Sequence, residues 1–133
     1  MINYILYGVV GLVVFFILYQ KGIIFADFEF IDPKVAVEII ENEENNMTIL
    51  DVRTKEEYKN EGHIKNAILI PVQELKLEIQ KLEKFKSRKI IVYCASGNRS
   101  VAASRILKEN GFTPYNVNGG ITRYKKEGFK VQK

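Results

Sequence analysis

This chain is short of the residues that usually announce a chemistry. Its 133 residues include one cysteine, one histidine, two methionines and three prolines, and no tryptophan. A single thiol cannot close an intramolecular disulfide, so the chain is not a small stapled scaffold of the secreted type. With one His and one Cys, and no carboxylates at metal-ligand spacing around them, neither a metal nor a cofactor is expected. There is no basic run with interleaved aromatics, which excludes a nucleic-acid-binding reading even at net charge +4. The excess of Lys and Arg is spread over positions such as Lys84, Lys86, Arg88, Lys125, Lys126 and Lys130, among apolar and acidic residues, as on a solvated face or one resting on anionic lipid.

Charge is also absent where its absence is most telling. Residues 2–19 carry no ionisable Asp, Glu, Lys or Arg. As a helix that run would reach roughly 27 Å, close to the ~30 Å hydrocarbon core of a bilayer. Tyr4, Tyr7 and Tyr19 stand toward its two ends, where aromatic rings favour the membrane interface. A basic segment before the run and a small-residue cleavage site after it are both missing, which favours a single-pass anchor over a signal peptide. The organisation expected is therefore an anchor at 1–20, a juxtamembrane linker at 21–27 and one soluble domain at 28–133. One lysine after the span and none before it lean the domain toward the cytoplasmic side of the cell membrane.

Within the soluble part, apolar runs alternate with helical patterns. Strands are expected at 28–31, 47–52, 67–70, 89–93 and 114–117. Asp32-Pro33 opens a helix over 34–40, and Thr54 with Glu57 three residues on forms a capping-box signature for a short helix ended near Gly62. Val72, Leu75, Ile79 and Leu82, with Phe85 behind, recur at helical spacing. Helices are expected again from Ser100 to Asn110, closed by Gly111, and from Ile121 to about Lys126 after a Gly119-Gly120 turn. Such alternation predicts an α/β domain with a parallel sheet, helices on both faces and its ligand site beyond the carboxyl ends of the strands.

The lone cysteine falls at that edge. Cys94 ends the run 89–93 and opens the turn Cys94-Ala95-Ser96-Gly97-Asn98-Arg99-Ser100, which leads into a helix. A strand that gives way to a helix through small residues aims backbone N–H groups and the positive end of the helix dipole at one place, which favours thiolate over thiol. Ala95, Ser96 and Gly97 let the backbone close around a ligand, Ser100 suits an N-cap, and Arg99 adds a planar cation.

Five segments in order resemble the rhodanese domain, the single-domain sulfurtransferase type. They are Leu50-Asp51-Val52-Arg53, then Glu57-Tyr58 with Gly62-His63-Ile64 and Ala67, then Ile70-Pro71, then the cysteine loop from Cys94 to Ser100, and last Asn118-Gly119-Gly120. The resemblance implies a rhodanese-like fold and a two-step transfer of sulfane sulfur. Cys94 takes a sulfur from thiosulfate or a persulfide as its own persulfide, then yields it to a thiol or cyanide. Arg99 is implied as the second catalytic residue, and Ala95, Ser96, Gly97, Asn98, Ser100 and Arg53 as the substrate-binding set. Asp51 with Arg53 organises the edge of the site, and His63 fixes the approach to the third strand. A cysteine phosphatase or arsenate reductase is the rival on this scaffold, but such enzymes place five residues between Cys and Arg where this chain has four. A non-catalytic tethered binding module is the other rival; such modules usually lack the cysteine. A protein partner cannot be read from the sequence.

Overall fold

The computed structural model describes residues 2–20 and 27–133. The linker expected at 21–27 therefore lies, Asp27 excepted, outside the described residues. The first element, α1 (Ile2–Gln20), is an uninterrupted helix whose side chains are almost all exposed. The stretch Asn3–Gln20 has mean hydropathy 1.7 and is long and apolar enough to cross a membrane.

The rest of the chain builds one parallel sheet. Its strands are β1 (Glu29–Ile31), β2 (Met47–Asp51), β3 (Ile68–Leu69), β4 (Lys89–Tyr93) and β5 (Thr113–Val117), in the order β1-β5-β4-β2-β3. All four pairings are parallel, so every strand delivers its carboxyl end to the same edge. Between the strands run α2 (Pro33–Asn42), α3 (Lys55–Asn60), α4 (Leu75–Glu78), α5 (Asn98–Glu109) and, last, α6 (Gly120–Lys126). The fold is α/β, a parallel sheet with helices on both faces, as the alternation predicts.

Side-chain alternation along the strands divides the interior into two cores. Ile91 and Tyr93 of β4 point with Ile49 toward Ala36, Ile39, Ile121 and Tyr124 of α2 and α6. Ile90 and Val92 point with Leu50 toward Leu75, Leu82, Ala103 and Leu107 on the other face. Cys94 continues that second set, so the cysteine enters its turn from the α5 side of the sheet. Leu75, Leu82 and Leu107 are fully buried, each stabilising the domain by about 2 kcal/mol relative to an exposed position.

Two local expectations are corrected. The segment from Val72 on is not one helix: a 3₁₀ turn (Val72–Glu74), the single turn α4 and a longer 3₁₀ stretch (Ile79–Phe85) follow one another. The reason lies in the spacing. Ile79, Leu82 and Phe85 recur every three residues, which is the 3₁₀ period and keeps them on one face. The helix after the cysteine starts at Asn98 with Gly97 at its N-cap, so Ser100 sits inside the first turn and not at the cap.

Candidate active site

Cys94 follows the central strand of the sheet, where the chain leaves β4 and turns back into α5. Gly97 makes that turn possible. Its φ of 120° is unfavourable for any residue with a side chain, and it swings the Gly97 N–H back onto Cys94 Sγ at 3.0 Å. Ser100 Oγ lies 3.4 Å from the same sulfur while donating to the Gly97 carbonyl at 3.1 Å. The expected convergence of amides on the sulfur is thus narrower than the whole loop: one amide and one hydroxyl reach it. The amides of Asn98, Arg99 and Ser100 belong to the first turn of α5, where a helix leaves its N–H groups without intrahelical acceptors. Cys94 as a residue is 1% exposed.

The loop's carbonyls face the other way. Cys94 and Ala95 accept hydrogen bonds from Ile121 N (2.9 Å) and Thr122 N (3.0 Å) at the start of α6. Gly119 and Gly120, with φ of 75° and 60°, bring that helix in. A Cβ on Gly120 would stand 2.5 Å from both carbonyl oxygens, so only glycine permits the approach. The glycine pair does more than turn the chain: it fastens the back of the cysteine loop and leaves the loop's amide side to the site.

Arg99 is held by a partner that the sequence reading used only as a cap. Its Nη1 and Nη2 donate to Glu57 Oε1 and Oε2 at 2.6 and 2.7 Å. Glu57 also completes the predicted capping box, accepting from the Thr54 backbone N–H at 3.1 Å while Thr54 Oγ1 accepts from the Glu57 N–H at 3.2 Å. The α3 cap thereby places a carboxylate opposite the cysteine loop. The bidentate Arg99 contact is the main reason the Glu57 carboxyl is held down to about 2, and the same contact raises Arg99 further above its ordinary value.

Arg53, assigned to substrate binding from the sequence, is corrected by its position. It is 1% exposed, and its Nε and Nη2 are spent on Asp51 (3.0 and 2.8 Å) and on the Gly62 carbonyl (2.7 Å). Its guanidinium also lies over the Tyr93 ring, 5.6 Å from the centroid. With Nε and Nη2 committed to these acceptors, this buried cation ties the end of β2 to the turn before the third strand. His63 is likewise structural. Its ring stacks on Tyr58 with centroids 3.7 Å apart, Nδ1 donates to the Tyr58 carbonyl, and its backbone exchanges two hydrogen bonds with Gln132. Ser96 and Asn98 stand exposed on the loop, Ala95 and Gly97 are half-buried, and Ser100 is buried. Among the described residues no cluster of His, Cys, Asp and Glu could hold a metal ion.

Residues 32–127 match the family described as Rhodanese-like domain. Curated relatives named tRNA uridine(34) hydroxylase include one from Buchnera aphidicola, 37% identical over 87 residues, which make up 62% of this chain and 28% of that protein. Another, from Escherichia coli, is 35% identical over 80 residues, 56% of this chain and 23% of that protein. The chain thus matches only about a quarter of the length of these enzymes. A rhodanese-related protein from Thermoplasma volcanium superposes with a TM-score of 0.71 at 36% identity, covering 79% of this chain and 98% of that one. A rhodanese-like domain protein from Staphylococcus aureus gives a TM-score of 0.64 at 31% identity, covering 80% of this chain and 100% of that one. Strands β2 to β5, the cysteine loop and the glycine pair all fall within the matched residues, and the chain belongs to the rhodanese-like domain family.

Proposed function

We propose that this protein is a membrane-anchored sulfurtransferase that passes sulfane sulfur through a persulfide on Cys94. The donor is thiosulfate or a persulfide, the acceptor a thiol or cyanide. The observation that carries the reading is the Gly97 N–H aimed at Cys94 Sγ from 3.0 Å, with Ser100 Oγ at 3.4 Å, at the carboxyl edge of the sheet. The Gly97 N–H fixed on sulfur supports the charged forms through which transfer runs, thiolate first and terminal persulfide after it.

In the first step the Cys94 thiolate attacks the outer sulfur of thiosulfate. The new bond joins Sγ to that sulfur, the old sulfur–sulfur bond breaks, and sulfite leaves with the bonding pair. In the second step cyanide attacks the outer persulfide sulfur, thiocyanate leaves and the Cys94 thiolate returns. No metal, cofactor or outside oxidant is required. Arg99 is the residue for the anionic donor: its fork now engages a carboxylate, and a sulfonate-like group presents oxygens at similar spacing. The hydroxylase relatives support cysteine-loop chemistry within a larger enzyme, but the shared quarter of their length supports no claim on tRNA for this chain. The anchor reading rests on α1, long and apolar enough for a single span, and the cytoplasmic placement of the domain on the one lysine after the span.

The test uses the full chain in detergent micelles. Incubation with thiosulfate is expected to add the mass of one sulfur to the intact protein; cyanide removes it, and Cys94→Ala never acquires it. No added mass with thiosulfate or with a low-molecular-weight persulfide overturns the reading.

A further inference from the structure

A cavity of about 500 Å³ lies between the membrane-side helix and the helix that begins at the cysteine loop. One end is formed by Asn98 and Arg99 of the loop, the other by Phe16 and Tyr19 of α1, with Ala102 and Ile106 of α5 between them. α5 therefore runs from the catalytic loop to the anchor, and the cavity follows it. The two ends are coupled physically. The Arg105 guanidinium lies 3.9 Å from the Tyr19 ring centroid and donates to the Tyr19 carbonyl, docking the end of α1 on α5. The lining is divided by chemistry: Phe16, Tyr19, Val72 and Ile106 are apolar, while Lys76, Arg99 and Arg105 outnumber the one acid, Glu109.

We infer that this cavity admits an anionic sulfane-sulfur donor carried on an apolar chain, reaching the cysteine loop from the bilayer surface. The inference rests on the sulfur-transfer reading above and names its substrate class. A thiosulfate-sized ion needs no apolar wall, and a soluble donor needs no wall shared with an anchor. A membrane-resident amphiphile needs both: apolar surface continuous with the bilayer for its tail, and cations next to the loop for its head. The chemistry is conserved. For a thiosulfonate R–SO₂–S⁻, the Cys94 thiolate bonds to the outer sulfur, the sulfur–sulfur bond breaks, and the sulfinate R–SO₂⁻ leaves with the electron pair.

The experiment places the full chain in vesicles of mixed phosphatidylcholine and phosphatidylglycerol and compares dodecanethiosulfonate with methanethiosulfonate, which share a head group and differ in tail. The readout is the ratio of their kcat/KM values for persulfide formation. A ratio of at least about tenfold favouring the long chain is expected, a factor that a few buried CH₂ groups supply. Ala102→Trp, an exposed position on α5, fills the cavity and should cut that ratio about fivefold or more. Phe16→Ala, on the anchor, should lower it without touching the packing of the sheet. A ratio that survives both variants reflects partitioning into lipid alone and overturns the inference. So does a ratio near one, the result if a resident phospholipid fills the space. Persulfide from neither compound overturns the sulfur-transfer reading itself, and this inference falls with it.

Discussion

Two arginine–carboxylate pairs stand at the carboxyl edge of the sheet, alike in chemistry and opposite in burial. Arg53 and Asp51 are 1% and 0% exposed; Arg99 and Glu57 are 33% and 22% exposed. Both arginines bind a carboxylate through two nitrogens. Arg53 is almost wholly shielded from solvent, and its Nη2 also donates to the Gly62 carbonyl. Arg99 meets water on one side and can exchange its carboxylate for another anion. The same functional groups therefore make a fixed brace in one place and a replaceable latch in the other, and burial alone decides which. A buried ion pair punishes loss of one partner far more than its presence rewards the fold, whereas a half-exposed pair is weak in both senses.

The largest effect expected from that contrast is on stability. Arg53→Met strands the Asp51 carboxylate in the interior and leaves the Gly62 carbonyl without its donor, at about 3–5 kcal/mol. Arg99→Met should cost about 1 kcal/mol or less. Urea unfolding of the two variants checks this, and equal losses would erase the distinction between brace and latch.

Acid provides a second separation. The Glu57 carboxyl sits at about 2 in the folded protein against an ordinary 4.5, held there first by Arg99. A carboxyl lowered by folding contributes stability that is complete above its unfolded value and disappears as pH falls through the folded one. Between about pH 4.5 and 2 the protein should therefore lose on the order of 1 kcal/mol through this group, solvent at the half-exposed pair screening most of the full amount. In Arg99→Met that segment of the stability–pH curve should flatten.

These pairs also mark where sequence reasoning succeeds and where it stops. The strands were legible because a parallel sheet buried on both faces needs continuous apolar runs, and 89–93 can be little else. The cysteine loop was legible because its parts are contiguous: nucleophile, hinge glycine and cation lie within six residues. Glu57 was seen only as a cap because its contact with Arg99 spans 42 residues. That contact depends on β2 lying beside β4, which no local pattern encodes. Arg53 was misassigned for a related reason. Asp-x-Arg reads the same whether the guanidinium faces solvent or core, and only the surrounding burial tells them apart. The broken helix after Val72 was obscured by a spacing of three that 3₁₀ and α patterns share.

Catalysis separates the arginines a third way. Arg99→Lys keeps the charge but loses the planar fork, and transfer from thiosulfate should fall about tenfold in kcat/KM with the fold intact. A change below twofold would mean that charge alone suffices, and that the bidentate geometry seen with Glu57 is irrelevant to the donor.

The smallest expected effect sharpens the brace. Tyr93 sits at the end of β4 with its hydroxyl accepting the Ile64 N–H at 3.0 Å and its ring beneath Arg53. Burial, with the Asp51 carboxylate adding to it, pushes the phenol well above its ordinary value, so the hydroxyl stays neutral at every pH the fold survives. Tyr93→Phe keeps the ring and removes only the hydroxyl, with its bond from the Ile64 N–H and its contact to the Asp51 carboxylate. The Ile64 N–H is then left buried without it, at about 1 kcal/mol. Because Tyr93 belongs to the Arg53 side of the edge, this loss should appear in urea unfolding and leave persulfide formation at Cys94 within twofold of the parent. If transfer falls with stability in Tyr93→Phe, the brace and the latch are one network, and the separation drawn from their burial is wrong.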